Sequence, residues 1–380
     1  MSREDLSAGQ ATEETGGTNM GHRLVGILLN AAMHRGVPRL KTGQESLANY
    51  EEAATAYGLT PCFLKLGDID TDSGLSSAYI KSEKGYERTL IATPAIIHNR
   101  AIYTEDSPGL ARLLQHGPLL FNACNRYGKD EIHSLLEQHA GLRAYLPATA
   151  KGSAGLRSMM AAYDDLILKP CRGSVGQGVM RLVRRTPRHW SWSYRSPSRG
   201  RWITLPVDPE NLPRVLRSRL AAVPYLVQER IQLAEIGGRP FDLRVTVQRG
   251  WGGEWQLTGL FAKLAAPGGF VSNIARGGEA ISSSFALEKV FSGAEAARIR
   301  MSVGALSLRI ASALEQSLPG LADIGLDIGI AGDGRLYFIE CNGRDQRYGF
   351  QKAGLTEAWK DSYRRPMGYA RYLLESGVKT

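Results

Sequence analysis

Near the C-terminus, Gly325-Leu326-Asp327-Ile328-Gly329-Ile330 and Leu336-Tyr337-Phe338-Ile339-Glu340-Cys341-Asn342-Gly343, joined by Ala331-Gly332-Asp333-Gly334-Arg335, carry the most informative pattern in the chain. Two short apolar runs around a glycine-rich connector read as a β-hairpin. In a period-2 strand Glu340 and Asn342 share a face, and pairing of the two strands can bring Asp327 beside them. Two carboxylates and an amide oxygen, with room for water and phosphate oxygens, suit Mg²⁺ on a nucleotide better than Zn²⁺. Taken alone, Asp327 and Glu340 read more readily as solvent-facing strand residues, and it is the rest of the chain that shifts the balance.

Leu166-Ile167-Leu168-Lys169-Pro170 reads as a strand, and Val179 to Val183 as its partner. Between them runs Arg172-Gly173-Ser174-Val175-Gly176-Gln177-Gly178. Three glycines in six residues let the backbone approach a ligand closely. At the tip of a hairpin such a segment becomes a flap that offers N–H groups to phosphate oxygens. The spacing is not GxxxxGK[ST], which excludes a P-loop. Lys169 ends an apolar strand, where a charge needs a partner; Lys129 begins a helix over 129–139 with Ile132, Leu135 and Leu136 on one face.

At 380 residues and 43% hydrophobic composition the chain can bury a large core and divides into two or three domains. No run reaches the ~18 apolar residues of a membrane helix, and the polar opening lacks a signal-peptide core, so the expected location is cytoplasmic with no membrane partner. Cys62, Cys124, Cys171 and Cys341 show neither CxxC nor CxxH spacing, which argues against zinc and against a disulfide framework. The net charge of +10 permits acidic partners. The densest basic-aromatic stretch, Arg181 to Trp202, has side chains able to stack on bases. Phosphates and acidic small substrates need positive charge as well, and nucleic acid is the less favoured partner.

Residues 1–21 have almost nothing to bury and read as a disordered leader. Strands over 24–29, 60–66 and 95–98 alternate with helices over 45–57 and 108–115, followed by a strand over 119–121. This gives an open α/β domain over 22–125. Between 67 and 94 the chain reads as irregular.

In order, the LILKP run with Lys169, RGSVGQGV, Leu226-Val227-Gln228-Glu229-Arg230-Ile231, Phe241-Asp242-Leu243-Arg244-Val245, Val271-Ser272-Asn273-Ile274-Ala275-Arg276-Gly277-Gly278, Asp327 and Glu340-x-Asn342 resemble an ATP-grasp enzyme. The Phe-Asp-x-Arg and Ser-Asn-x-x-Arg-Gly-Gly elements are similar to the RimK-like, glutamate-ligating branch. Pro94-Ala95-Ile96-Ile97-His98-Asn99-Arg100, Phe121-Asn122 with Lys129, and Leu146-Pro147-Ala148-Thr149 resemble the YheC/YheD family, ATP-grasp proteins described as endospore coat-associated.

The resemblance implies an α/β ATP-grasp fold. The N-terminal domain precedes a module over 126–375, with a flap-bearing lobe at about 145–230 and a larger lobe at about 231–375. ATP lies between the lobes. Lys129 and Lys169 reach its phosphates and adenine side, with Arg172, Ser174, Gly176 and Gly178 in the flap. Gln228, Glu229 and Ile231 line the hinge, Glu229 toward the exocyclic amine and Ile231 through its backbone. Asp242 takes the ribose side, although Glu235 could do the same work; Asp242 and Arg244 also alternate on one strand face and could form a cross-strand ion pair. Ser272, Arg244, Lys263, Asn273 and Arg276 surround the γ-phosphate, with Arg276 the favoured holder of an acyl phosphate. Asp327, Glu340 and Asn342 hold Mg²⁺, two ions in all, with Mn²⁺ as a substitute.

The activity implied is ligation of a carboxylate to an amine, an amino acid or a peptide, through an acyl phosphate. The same resemblance admits a coat-associated ATP-binding protein with weak or no catalysis, a spore-associated location, and a kinase acting on a hydroxyl; a homo-oligomer is open. Val271 stands where the RimK-like branch has an Arg, so the acceptor cannot be copied from that branch, and Arg184 to Leu205 together with the N-terminal domain is expected to shape the acceptor site.

Overall fold

Alternation of apolar and polar residues, switched by two glycine-rich turns and one bulge, builds the part of the fold that positions the site. The structure, a computed structural model, describes residues 24–103, 107–173, 176–196 and 200–377. The expected leader and Ser174 lie outside these residues. Among them the chain forms three sheets.

The first sheet contains β1 (Leu24–Leu28), β2 (Thr60–Leu64), β3 (Ile69–Asp70), β4 (Leu75–Ser82), β5 (Gly85–Ala92), β6 (Ile96–Asn99) and β7 (Leu119–Phe121). β2, β1, β6 and β7 run parallel, and the near-continuous apolar sequence of β1 is fully buried, as expected of a parallel strand covered on both faces. The open α/β reading is therefore observed. The stretch over 67–94, read as irregular, is corrected: it forms the β4–β5 hairpin in continuous register from Leu75↔Ala92 to Ser82↔Gly85. Most of β5 is solvent-facing, so no apolar alternation marked it.

The second sheet has the order β12-β11-β10-β9-β13-β8, with β8 Thr149–Lys151, β9 Asp165–Pro170, β10 Met180–Thr186, β11 His189–Arg195, β12 Trp202–Val207 and β13 Tyr225–Glu229. β9 and β10 pair as the flap hairpin, from Met180↔Leu168 to Val183↔Asp165. The basic-aromatic stretch over 181–202 supplies β10, β11 and the start of β12. Trp190 and Trp192 are buried with Leu166, Leu168, Met180 and Leu182, which removes two of the rings considered for base stacking.

The third sheet is antiparallel: β14 (Glu235–Ile236), β15 (Arg239–Arg249), β16 (Trp255–Leu264), β17 (Glu279–Ser282), β18 (Asp323–Ile330) and β19 (Leu336–Asn342), ordered β17-β16-β15-β18-β19 with β14 on β15. Phe241, Leu243, Val245 and Val247 alternate onto one face with Leu260, Ala262, Leu264, Ile324, Leu326 and Ile328. The helix Gly293–Glu315 covers that face through Ile299, Val303, Leu306 and Ile310. The opposite face is polar, with Asp242, Arg244, Thr246, Gln248, Lys263, Asp323 and Asp327 all buried or half-buried. The C-terminal helix Thr356–Ser376 returns to the first sheet, placing Tyr363, Met367, Tyr369 and Ala370 among Tyr50, Phe63 and Phe121.

Candidate active site

Register on the third sheet fixes the polar face residue by residue. Asp242 lies opposite Lys263, Arg244 opposite Asp327, and Asp327 opposite Glu340, while Gly325 pairs with Asn342. Strict alternation along β19 would send Glu340 to the core with Leu336 and Phe338. A bulge prevents this: Ile328 pairs with Phe338 and Asp327 with Glu340, leaving Ile339 as the extra residue. Ile339 and Glu340 then both face the cleft, and Cys341 packs against the core instead.

The charges are interlocked. Arg244 Nε donates to Asp327 Oδ1 at 2.6 Å and its Nη1 to Asp345 Oδ1 at 3.0 Å. Lys263 Nζ stands 2.8 Å from Asp327 Oδ2 and 3.0 Å from Asp242 Oδ1. Ser272 Oγ also donates to Asp242. Burial would raise the Asp327 carboxyl, but the Arg244 and Lys263 charges outweigh it and hold it down at about 2. Asp242 is pushed upward, first by burial and then by Asp327, against the pull of Lys263. Lys169 is pulled down by burial and by neighbouring Lys129, while Glu340 opposes.

Across from this face stands the flap-bearing sheet. Lys129 Nζ donates to Gly173 O at 2.9 Å and lies 3.2 Å from Glu340 Oε1, tying the base of the flap to the third sheet. The flap reaches further at Gly176: a Cβ there would sit 3.7 Å from Arg276 Nε and 3.8 Å from Asn273 Nδ2. Gly176 has φ +63°, favoured by glycine. The cleft is lined by Lys129, Lys169, Gly176, Gln228, Glu229, Ile231, Asp242, Lys263, Ser272, Asn273, Asp327 and Glu340 among others. Arg244 and Asn342 line an adjoining cavity with Asn273. Arg276 borders the flap, whereas Arg172, which is exposed, and Gly178 are not on the cleft wall.

Two hinge residues are partly engaged. Glu229 Oε1 accepts from Ala148 N at 2.9 Å, and Gln228 Nε2 donates to Thr149 Oγ1 at 2.9 Å. Glu235, the alternative to Asp242, is exposed on β14 and lies outside the cleft lining.

For an oxygen-seeking cation, the site offers the half-exposed Glu340 carboxylate and Asn342 amide. No group of three His, Cys, Asp or Glu side chains able to hold a metal occurs among the described residues. Mg²⁺ usually takes one or two carboxylates and completes its shell with phosphate oxygens and water, which this pair fits. Asp327 could join only by sharing oxygens already on Arg244 and Lys263.

Sequence reasoning missed Asp345. It is fully buried, and it accepts from Arg244 Nη1 and from Thr246 Oγ1. Its backbone carbonyl accepts from Arg100 Nη2 at 2.7 Å. The polar run Gly343-Arg344-Asp345 gives no periodic signal, and only the fold reveals the contact.

The family model described as "YheC/D like ATP-grasp" matches residues 118–373. The "Endospore coat-associated protein YheD" of Bacillus subtilis (strain 168) is 23% identical over 322 residues, which cover 82% of this chain and 70% of that protein. The crystal structure of D-cycloserine synthetase DcsG aligns with TM-score 0.52 at 13% identity, covering 93% of this chain and 99% of its own. The ATP-grasp ligase PsnB, complexed with a phosphomimetic variant of minimal precursor, Mg and ADP, aligns with TM-score 0.50 at 16% identity over 95% and 100%. At these identities the two solved structures share the fold. Among the described residues no helix is long and apolar enough to cross a membrane.

Proposed function

The chain belongs to the YheC/D-like ATP-grasp family, and from that premise we propose that it is an ATP-dependent ligase that joins a carboxylate to an amine through an acyl phosphate. The observation that carries the reading is the polar face of the third sheet, where paired Asp and Glu residues meet Lys129, Lys263 and Arg244 at one end of a cleft capped by a glycine flap. Such a face binds and neutralises a triphosphate, and phosphoryl transfer asks for positioning and charge stabilisation more than for a protein nucleophile.

ATP lies in the cleft with its adenine toward Gln228–Ile231 and its phosphates toward Lys129, Lys169 and the flap. A substrate carboxylate oxygen attacks the γ-phosphorus, the bond to the ADP oxygen breaks, and an acyl phosphate forms. Arg276, Asn273 and Arg244 supply donors to the oxygens that gain charge. An amine nitrogen then attacks the acyl carbon. Phosphate leaves, the amine proton passes to phosphate or water, and an amide remains. Mg²⁺, when bound at Glu340 and Asn342 with the phosphate oxygens, neutralises charge in transit. Lys263 bridges Asp242 and Asp327 at 3.0 and 2.8 Å and draws both carboxyls downward against burial, so the two side chains keep their places through the cycle.

The test is phosphate release from Mg-ATP with hydroxylamine present and amino-acid or peptide pools supplied. Hydroxamate formed with particular pools, together with released phosphate, supports carboxylate activation, since an acyl phosphate yields that product and a phosphate ester does not. Glu340→Gln is expected to lower turnover by 100-fold or more. Phosphate transfer without hydroxamate would indicate a kinase. Nucleotide binding with no turnover in any pool would favour the coat-associated binding role that the YheD relative's name suggests.

A further inference from the structure

Beyond the phosphate end of the cleft the cavity continues. The adjoining chamber that holds Arg244 and Asn342 is also lined by Gln346 and Tyr348. Tyr348 and Ala275 also belong to a second groove, which opens to solvent between Gln44 of the N-terminal sheet's loop, the helix Tyr348–Lys352 and Trp359. The two spaces have Tyr348 and Ala275 in common among their lining residues, so they are neighbours, and Arg244 and Lys352 lie on the linings of adjoining spaces.

The wall chemistry is specific. Gln44, Gln346 and Gln351 are exposed, and their side-chain amides make no hydrogen bond to the described residues. A glutamine amide offers one donor group and one acceptor, the pairing a peptide group presents in reverse. Tyr348 and Trp359 add aromatic faces. Lys352 Nζ lies 5.3 Å from the Tyr348 ring centroid and has no ion pair among the described residues. The nearby carboxylate, Glu45, is already held by Arg100 at 2.9 Å.

We propose that this groove binds an acidic peptide as the carboxylate substrate, with the carboxyl to be activated beside Arg244 and Asn273, backbone amides met by Gln346 and Gln351, and a second acidic group on Lys352. The proposal rests on the ligase reading and narrows its substrate to an extended, anionic chain instead of a free amino acid.

Anisotropy of a fluorescent pool of tetrapeptides carrying two Asp or Glu residues tests it, with and without Mg-AMPPNP, against a neutral tetrapeptide pool and free glutamate as competitors. The acidic pool is expected to bind at least tenfold more tightly than the neutral one, and free glutamate to compete poorly. Lys352→Glu is expected to weaken the acidic pool tenfold or more, and Gln346→Ala with Gln351→Ala to weaken both pools. Each variant is checked for folding by thermal denaturation. Equal binding of both pools, an unaffected Lys352→Glu, or no peptide binding in either condition overturns the groove. Failure of AMPPNP itself to bind overturns the ligase reading instead, so the two failures are distinguishable.

Discussion

Asp345 shows how one unremarkable residue can set the shape of the site. It receives Arg244, Thr246 and, through its carbonyl, Arg100, and it is inaccessible to water. Asp345→Asn keeps the size but removes the charge opposite Arg244, leaving a buried cation short of a partner. Breaking a buried pair typically costs about 3–5 kcal/mol, and urea unfolding should report a loss of that order; a loss under about 1 kcal/mol would show Arg244 held chiefly by Asp327. At this scale the type and spacing of Asp327, Glu340 and Asn342 suggest oxygen ligands, and the register brings Asp327 opposite Glu340. Nothing in Gly343-Arg344-Asp345 marked the residue that steadies Arg244, since its side-chain partners Arg244 and Thr246 lie about a hundred residues upstream, on β15.

Elements set which side of a strand faces the ligand. The bulge at Ile339 re-aims Glu340 toward the cleft, and period-2 reasoning alone could not have found it, because register shifts depend on the partner strand. The flap hairpin was legible from its glycines, whereas the β4–β5 hairpin was not, its outer strand burying too little to leave a pattern. At the outer edge of the second sheet the Trp202 ring sits 4.5 Å from Phe270, and Arg181 lies 5.4 Å over the same ring. Phe270 lines the cleft, so this contact clips the flap-bearing sheet to the loop ahead of Ser272. An aromatic pair is worth about 0.5–1.5 kcal/mol. Trp202→Ala should therefore weaken Mg-AMPPNP binding by about two- to tenfold in calorimetry, with melting nearly unchanged; unchanged affinity would show that the clip plays no part in closing the cleft.

Across the whole molecule the polar face of the third sheet has two ends. One is the cleft; the other is sealed by the N-terminal sheet through an ion network. Arg100 meets Asp323 at 3.1 Å and Glu45 at 2.9 Å, and Arg347 meets Asp323 at 2.6 Å. His98 Nε2 lies 3.3 Å from Asp323 Oδ2 and its ring stacks on Phe121. Burial lowers His98 from 6.5 to about 4 despite Asp323. Burial alone would raise Glu45, but Arg100, Arg347 and Arg344 outweigh it and hold the carboxyl at about 2. The unfolded chain thus binds more protons than the folded one at both sites. His98 gives stability present above about pH 6.5 and lost as pH falls toward 4; Glu45 gives stability lost from about 4.5 toward 2. The His98 shift alone amounts to roughly 3 kcal/mol. Asp242, raised by burial, acts in the opposite sense, losing stability as pH rises from its ordinary value through its folded one, and so offsets part of the His98 effect between pH 4 and 6. Melting followed from pH 8 to 4.5 should therefore fall in the wild-type chain and fall less in His98→Asn, in which the titration is gone. An equal acid loss in both would show that protonation of His98 in the unfolded chain is not what drives the acid loss.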